Sequence, residues 1–300
     1  MAHDVIIVGG SFAGLSAALA LTRARRRVLV VDSGRPRNRF ASSSHGFLTQ
    51  DGTAPGEILT AARRQLSAYP TAEIAMDEAV QVARDGEEFT VMLRSGRRET
   101  GRRLILATGM VDRLPEVVGL EERWGRTVFH CPYCHGYELD GGPIAVLAFG
   151  AVSMHHALML PDWGPTTFFV NGTFEPSDAD RKELQERNVT VIETAVEAVS
   201  DTEDGGIAMH LRDGGRPAFR GVFVASHLEF ATPFATDLGC AVETGPVGDY
   251  VRTDDRKQTS VPGVYACGDM ARASGNVPVA VAEGSMAGVA AHQSLIFKDH

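Results

Sequence analysis

Cys131 and Cys134, separated by Pro132-Tyr133 and flanked by His130 and His135, are the residues of this 300-residue chain best suited to chemistry. Two thiols at that spacing can close a small disulfide ring, and once opened each can attack an external disulfide or be attacked by a thiol. An imidazole titrating near neutrality beside them can deprotonate an incoming thiol or stabilise a thiolate. His135, with Glu138 as its partner, and His130 both qualify, and spacing does not choose between them. Zinc would need two further ligands; Cys240 and Cys267 offer no second Cys-x-x-Cys, so no metal is expected. Cys131-x-x-Cys134-His135 is also the spelling of a haem-attachment site, but that requires an exported chain and an axial-ligand pocket, and neither is indicated. Cys267 and Cys240 read as buried small thiols, and His155-His156, turned to different faces of one helix, as surface or packing residues.

The elements that must position this pair begin with a strand, turn, helix and strand: Val5 to Val8, Gly9 to Gly14, Leu15 to Arg26, and Val28 to Asp32. This is the layout of a dinucleotide-binding unit. Gly9 makes the tight turn, Gly14 allows close helix packing, and the helix N-terminal amides around Ser11, Phe12 and Ala13 would hold a pyrophosphate. Asp32 ends the second strand, where a carboxylate can accept from an adenosine ribose. The middle glycine of G-x-G-x-x-G is replaced by Ser11, whose hydroxyl can itself donate. Strands are expected at Glu88 to Leu93 and Leu104 to Ala107. A second, similar unit starts at Pro143, with a strand Ile144 to Leu147, a helix Met154 to Leu160 and a strand Thr167 to Val170. Gly221 to Ala225 and Val264 to Ala266 read as further strands, and Val277 to Leu295 as a helix of small residues.

Composition narrows the class. With 44% apolar and 22% charged residues the chain can build one large or two ordinary soluble domains. A net charge of −9 argues against nucleic acid or an anionic membrane as partner. The uncharged run Val5 to Thr22 contains Gly9, Gly10 and Gly14 and no cleavage pattern follows it, so strand, turn and helix account for it and no membrane span is expected. Without a targeting segment, and with four cysteines, a cytoplasmic protein is expected.

Four pieces in order, the Gly9 to Gly14 fingerprint with Asp32, Ala107-Thr108-Gly109, Cys131-Pro132-Tyr133-Cys134 and Ala266-Cys267-Gly268-Asp269, resemble the low-molecular-weight thioredoxin-reductase family of flavoproteins across the whole chain. The resemblance implies an α/β fold of two Rossmann-like, three-layer β/β/α domains. Residues 1–113 and 240–300 would form a discontinuous FAD domain, and residues 114–239 a nucleotide-binding domain carrying the cysteines. It implies FAD contacts from Gly9, Ser11, Phe12, Ala13, Gly14, Asp32, the Ala107-Thr108-Gly109 turn, Gly268 and Asp269, which would bind the ribityl chain. Asn276 and Val277, at the start of the last helix, would face the flavin pyrimidine edge, where a helix N-terminus stabilises the reduced flavin. The loop with Gly46 and Gln50 also approaches the flavin in this family. The resemblance assigns Cys134 to the flavin side and Cys131 to exchange with substrate, and it implies a homodimer.

His135 stands where the reductases carry an aspartate, and Cys131 to Glu138 resembles the Cys-Pro-aromatic-Cys-His-Gly-Tyr-Glu motif of the gliotoxin- and holomycin-type dithiol oxidases. A reductase would also need a second glycine fingerprint and basic residues for the 2′-phosphate of NADPH. Here the sequence is Ala148-Phe149-Gly150-Ala151-Val152-Ser153, and Asn171 to Glu175 after the next strand holds no arginine. NADPH binding is therefore doubtful. The expected reaction is substrate dithiol plus O2 giving disulfide plus hydrogen peroxide. Two alternatives stand beside it. One is a reductase driven by NADPH or another donor and acting on a thioredoxin-like protein; the other is a flavin-bound redox sensor or scaffold.

Overall fold

The computed structural model describes residues 2–297. The chain divides into two compact units: one runs up to Arg39, through Phe47–Val111 and from Leu228 on, and the other comprises Phe40–Gly46 and Asp112–His227. The return to the first unit thus falls at Leu228, ahead of the 240 expected from sequence, and a short stretch of the early chain counts with the second unit.

In the first unit, apolar runs such as Val5–Val8 and Val28–Val31 are buried on both faces, as strands covered above and below must be. They join a seven-stranded sheet in the order Ala72–Ala75, Val28–Val31, His3–Val8, Arg98–Leu106, Glu88–Leu93, Ala79–Asp85, with Val264–Ala266 also pairing to Arg98–Leu106. The first four and Val264–Ala266 are parallel; the last pairings are antiparallel. Val8 is in register with Val31 and Leu106, and Leu106 with Ala266, so Gly9, Asp32, Ala107 and Cys267 all emerge at one sheet edge. Open parallel sheets bind their ligands at that edge.

The helices Phe12–Arg23 and Val277–Ser294 cover this sheet. The first begins three residues before the expected Leu15, because Ser11 already has the extended backbone of an N-cap. Small residues let the two helices touch backbone to backbone: a Cβ on Gly284 would lie 2.0 Å from the Ala13 carbonyl oxygen, and one on Gly288 2.6 Å from that of Ala17. That contact is the reason for the small-residue composition visible in the sequence.

The second unit repeats the plan. Its parallel sheet runs Thr190–Ile192, Thr166–Phe169, Ile144–Leu147, Gly221–Val224, Val128–Phe129, and an antiparallel sheet of Val196–Asp201, Ile207–Leu211 and Ala218–Phe219 accompanies it. Val128–Phe129 occupies the place that Val264–Ala266 has in the first unit. Consequently Cys131 leaves the second sheet as Gly268 leaves the first, each just beyond a fifth parallel strand. Both units have the α/β, Rossmann-like architecture expected. Among the described residues, no helix is long and apolar enough to cross a membrane.

Candidate active site

The Val128–Phe129 strand delivers His130 and Cys131, and the chain then turns into the one-turn helix Pro132–His135. Proline suits the first helical position, where its missing N–H is not needed. Cys131 is the extended residue before this turn, and the Cys134 amide donates to its carbonyl at 3.2 Å. The turn brings the two Cα atoms to 5.3 Å, and Cys131 and Cys134 are joined as a disulfide.

His135 lies against Phe129, with ring centroids 4.4 Å apart and planes 21° from parallel. Burial, reinforced by His45 nearby, pushes its pKa down to about 4. It does not titrate near neutrality, as the sequence led one to expect: its site desolvates the imidazolium, so the ring is neutral at physiological pH. Glu138 is not its hydrogen-bond partner either. The Glu138 carboxylate lies 3.4 Å from Nε2 of His45, which is also 3.1 Å from the Ser43 hydroxyl. His130 stacks on Trp124 with centroids 5.9 Å apart, and its backbone carbonyl accepts from His156. His156 is buried, and burial pushes it down to about 4 as well. Its ring lies 6.2 Å from that of Phe223 in the neighbouring strand, and its Nδ1 is buried with no hydrogen-bond partner among the described residues. A cleft of about 700 Å³ opens beside this turn, lined by Phe40, Ser43, His45, Phe129, His135 and Glu138 among others.

The first unit presents a dinucleotide cradle. A Cβ on Gly14 would sit 1.8 Å from the Gly9 carbonyl oxygen, so only glycine lets the helix close on the turn. Ser11 makes no side-chain cap, which leaves the amides that open the Phe12–Arg23 helix directed at an anion. Buried Asp32 accepts from the Gly34 amide at 3.0 Å and from Arg63 at 2.7 Å, and a carboxylate has acceptor sites left for a ribose. Thr108, after Ala107 and before Gly109, reaches Met270 at 3.4 Å. Asp269 pairs with Arg37 at 2.8 Å. Asn276 is the N-cap of the Val277–Ser294 helix, its side chain accepting from the Val279 amide at 3.0 Å. These groups fit FAD: uncapped amides for the pyrophosphate, carboxylates for ribose and ribityl hydroxyls, and a helix start for the flavin. Of the loop expected to join them, Gln50 sits in a turn of the first unit while Gly46 counts with the second.

The comparisons with known proteins agree with this geometry. The profile described as Pyridine nucleotide-disulphide oxidoreductase matches residues 3–284. The chain belongs to this family. It is 33% identical to "Thioredoxin reductase tcpT" of Claviceps purpurea (strain 20.1), over 98% of this chain and 94% of that one. It is also similar to the oxidoreductase from Agrobacterium tumefaciens, at 52% identity and TM-score 0.95 over the whole of both chains. The structure of HlmI is similar at 39% identity and TM-score 0.92, over 98% of this chain and 93% of that one.

As a thioredoxin-reductase-like member of the pyridine nucleotide-disulphide oxidoreductases, the protein is an FAD-dependent disulfide oxidoreductase, and two further features of it bear on its chemistry, the first of them not singled out in the sequence. Glu283, in the helix of small residues, is buried; it accepts from Lys257 at 2.7 Å, Arg272 at 3.0 Å and the Gly268 amide at 3.1 Å. It fixes the turn that carries Asp269. A lone acid in an otherwise apolar helix was the signal available for it. The second feature lies in the second unit's fingerprint turn. There the Phe149 amide donates to the Ser153 hydroxyl at 2.9 Å and the Gly150 amide to Thr173 at 3.1 Å. At the position matching Ser11, the Gly150 amide is taken by the protein's own Thr173 hydroxyl, whereas Ser11 begins its helix without a side-chain cap.

Proposed function

We propose that this oxidoreductase is a dithiol oxidase that closes a disulfide in its substrate and does not draw electrons from NADPH. The observation that carries the reading is the self-capped turn of the second unit, where Ser153 and Thr173 take the amides of Phe149 and Gly150. A pyrophosphate would have to displace the Gly150 bond, and neither Ala148 nor the Asn171 to Glu175 segment supplies a compensating charge. The resemblance of Cys131 to Glu138 to the dithiol-oxidase motif supports the same conclusion.

On this reading a substrate thiolate attacks Sγ of Cys131, the Cys131–Cys134 bond breaks, and Cys134 leaves as thiolate. The second substrate thiolate then attacks the substrate sulfur of the mixed disulfide and releases Cys131, so two thiols are oxidised and one protein disulfide is reduced. FAD, which Gly9 to Gly14, Asp32 and Asp269 would hold, would supply the two-electron acceptor for the reduced cysteines, with O2 as final oxidant and hydrogen peroxide as product. His135, which follows Cys134 directly and stacks on Phe129, stays neutral and so adds no charge beside that turn.

A reductase driven by NADPH is the competing reading, favoured by the name of the Claviceps purpurea relative. The test is anaerobic mixing of the flavin-loaded protein with NADPH and, separately, with dithiothreitol while the visible flavin band is followed. Bleaching by the dithiol alone, with colour and peroxide returning on admission of air, supports the oxidase; rapid bleaching by NADPH overturns it.

A further inference from the structure

We propose that Trp163 is a positioning residue for the redox pair: it clasps the Pro132–His135 turn and thereby favours the Cys131–Cys134 disulfide over the two free thiols. The proposal needs only thiol-disulfide exchange at this pair, so it stands apart from whether electrons leave to O2 or arrive from NADPH.

The first support is Gly136, directly after His135. Its backbone, at φ −68° and ψ −37°, is ordinary helix that any residue adopts, and its amide donates to the Pro132 carbonyl at 2.7 Å. Glycine is needed there for space. A Cβ would lie 2.7 Å from Cδ1 and 2.8 Å from Cγ of Trp163, so the indole rests on bare backbone two residues after Cys134. On the other side of Cys134, the Tyr133 ring meets the same indole at 87°, with centroids 5.4 Å apart. Trp163 thus touches the chain both before and after Cys134, and acts on the sulfurs through that chain.

The second is that the indole is itself held. Trp163 packs against a core that includes Phe129, Leu139 and Phe168, and its amide donates to the Leu160 carbonyl at 2.9 Å. A Cβ on the next residue, Gly164, would lie 2.3 Å from the Gly142 carbonyl oxygen, so the backbone after the indole is pressed against the chain leaving the redox turn. Pro132–His135, by contrast, is a single helical turn, too short to order itself through its own hydrogen bonds. Its order comes from its neighbours: Trp163 at Tyr133 and Gly136, and Phe129 at His135.

Two unbonded sulfurs need more room than a bonded pair, so opening the disulfide asks this turn to yield. In a loose turn the thiols gain freedom once the bond opens, which favours the dithiol. In a clasped turn they stay facing each other, and either thiolate recloses the bond at high effective concentration. When dithiothreitol reduces the pair, the reagent gives up an electron pair and two thiol hydrogens as it closes its own disulfide, and Cys131 and Cys134 become thiols. Trp163 weights that exchange toward the oxidised protein.

The test equilibrates the flavin-loaded protein, without oxygen, in mixtures of reduced and oxidised dithiothreitol, then traps thiols with acid and an alkylating agent and counts them by mass. In Trp163→Leu the equilibrium moves about tenfold toward the dithiol, which is about 30 mV for a two-electron couple. Trp163→Phe, which keeps a ring for Tyr133, moves it only about two-fold. Gly136→Ala, whose methyl wedges indole and turn apart, moves it in the same direction as Trp163→Leu. With 2-mercaptoethanol at one fixed concentration, the share of protein carrying a single adduct rises in the same order, because the partner cysteine recloses the bond less readily. Met209→Ala is the control: Met209 is fully buried in a different core of the same unit, so its loss destabilises that unit and leaves the exchange equilibrium as in wild type. A wild-type equilibrium in Trp163→Leu or Gly136→Ala, or an equal shift in Met209→Ala, overturns the proposal.

Discussion

The hydroxyl of Thr173 accepts the amide hydrogen of Gly150 at 3.1 Å and donates its own hydrogen to the Val170 carbonyl at 3.1 Å, so it closes the fingerprint turn from the neighbouring strand. Ser153, fully buried, accepts the Phe149 amide hydrogen at 2.9 Å from within the turn itself. Ser153→Ala should cost about 1–3 kcal/mol, because the part-buried Phe149 amide is left without a partner, and Thr173→Val less, since Gly150 is more exposed. Urea unfolding measures both. The double variant uncovers two amides but adds no cation, so any gain in nucleotide affinity should be larger for NADH than for NADPH. Calorimetric titration that shows the opposite order would place a 2′-phosphate site elsewhere.

Burial of two histidines gives the protein a predictable acid sensitivity. His135 and His156 are both held neutral, with pKa values pushed down to about 4, chiefly by burial. Unfolding returns each to its ordinary value near 6.5, so below that pH the unfolded chain binds protons the folded one refuses. Their contribution is fully present above about pH 6.5 and is lost as the pH falls toward 4, by about 3 kcal/mol each. Denaturation midpoints at pH 7 and 4.5 should differ accordingly. His156→Phe removes one of the two buried imidazoles and should therefore lose less stability on acidification than the wild type.

Much of this was legible beforehand, and the exceptions have physical causes. Continuous apolar strands, the Gly9 to Gly14 turn and the Cys131-x-x-Cys134 spacing are local signals, and each element formed where its own residues demanded. What sequence did not show was pairing over distance. Glu138 lies three residues from His135, which made the two look like partners, but the short turn points the carboxylate at His45, 93 residues earlier in the chain. The neutrality of His135 depends on Phe129 and the packing around it, and Thr173 meets Gly150 only because two parallel strands lie side by side. The return boundary at Leu228 was likewise invisible, because no proline- or glycine-rich linker marks it.

Glu283 should prove to be a structural anchor for the cofactor turn. Glu283→Ala leaves Lys257 and Arg272 without their buried anion and the Gly268 amide without its acceptor, a loss of about 3–5 kcal/mol by analogy with broken buried pairs. Glu283→Gln keeps acceptors for the amide and should lose less. Because Gly268 leads into Asp269, both variants should release FAD more readily, read as the rise in flavin fluorescence on dilution.

The four cysteines should separate cleanly by reactivity. Burial pushes the Cys267 thiol up to about 12, with Glu283 adding to it, and burial raises Cys240. Neither can present a thiolate at neutral pH. Iodoacetamide applied to the native, dithiol-reduced protein should label Cys131 and Cys134 alone, with Cys240 and Cys267 labelled only after denaturation; rapid labelling of Cys267 in the folded protein would contradict its burial.

Single replacements within the disulfide should reveal which sulfur meets the substrate. Cys131 is the extended residue that precedes the turn, whereas Cys134 is inside it, next to His135 and its Phe129 seat. On the proposed roles, Cys131 exchanges with substrate and Cys134 passes the electrons on. Cys134→Ser should therefore still capture an oxidised substrate analogue as a mixed disulfide on Cys131, but dithiols should no longer bleach its flavin. Cys131→Ser should capture little and also fail to turn over, because the first attack has lost its sulfur. Intact-mass measurements decide the capture and anaerobic spectra decide the bleaching. Capture confined to the Cys131→Ser variant would exchange the two roles, and undiminished bleaching in Cys134→Ser would remove the pair from the reaction.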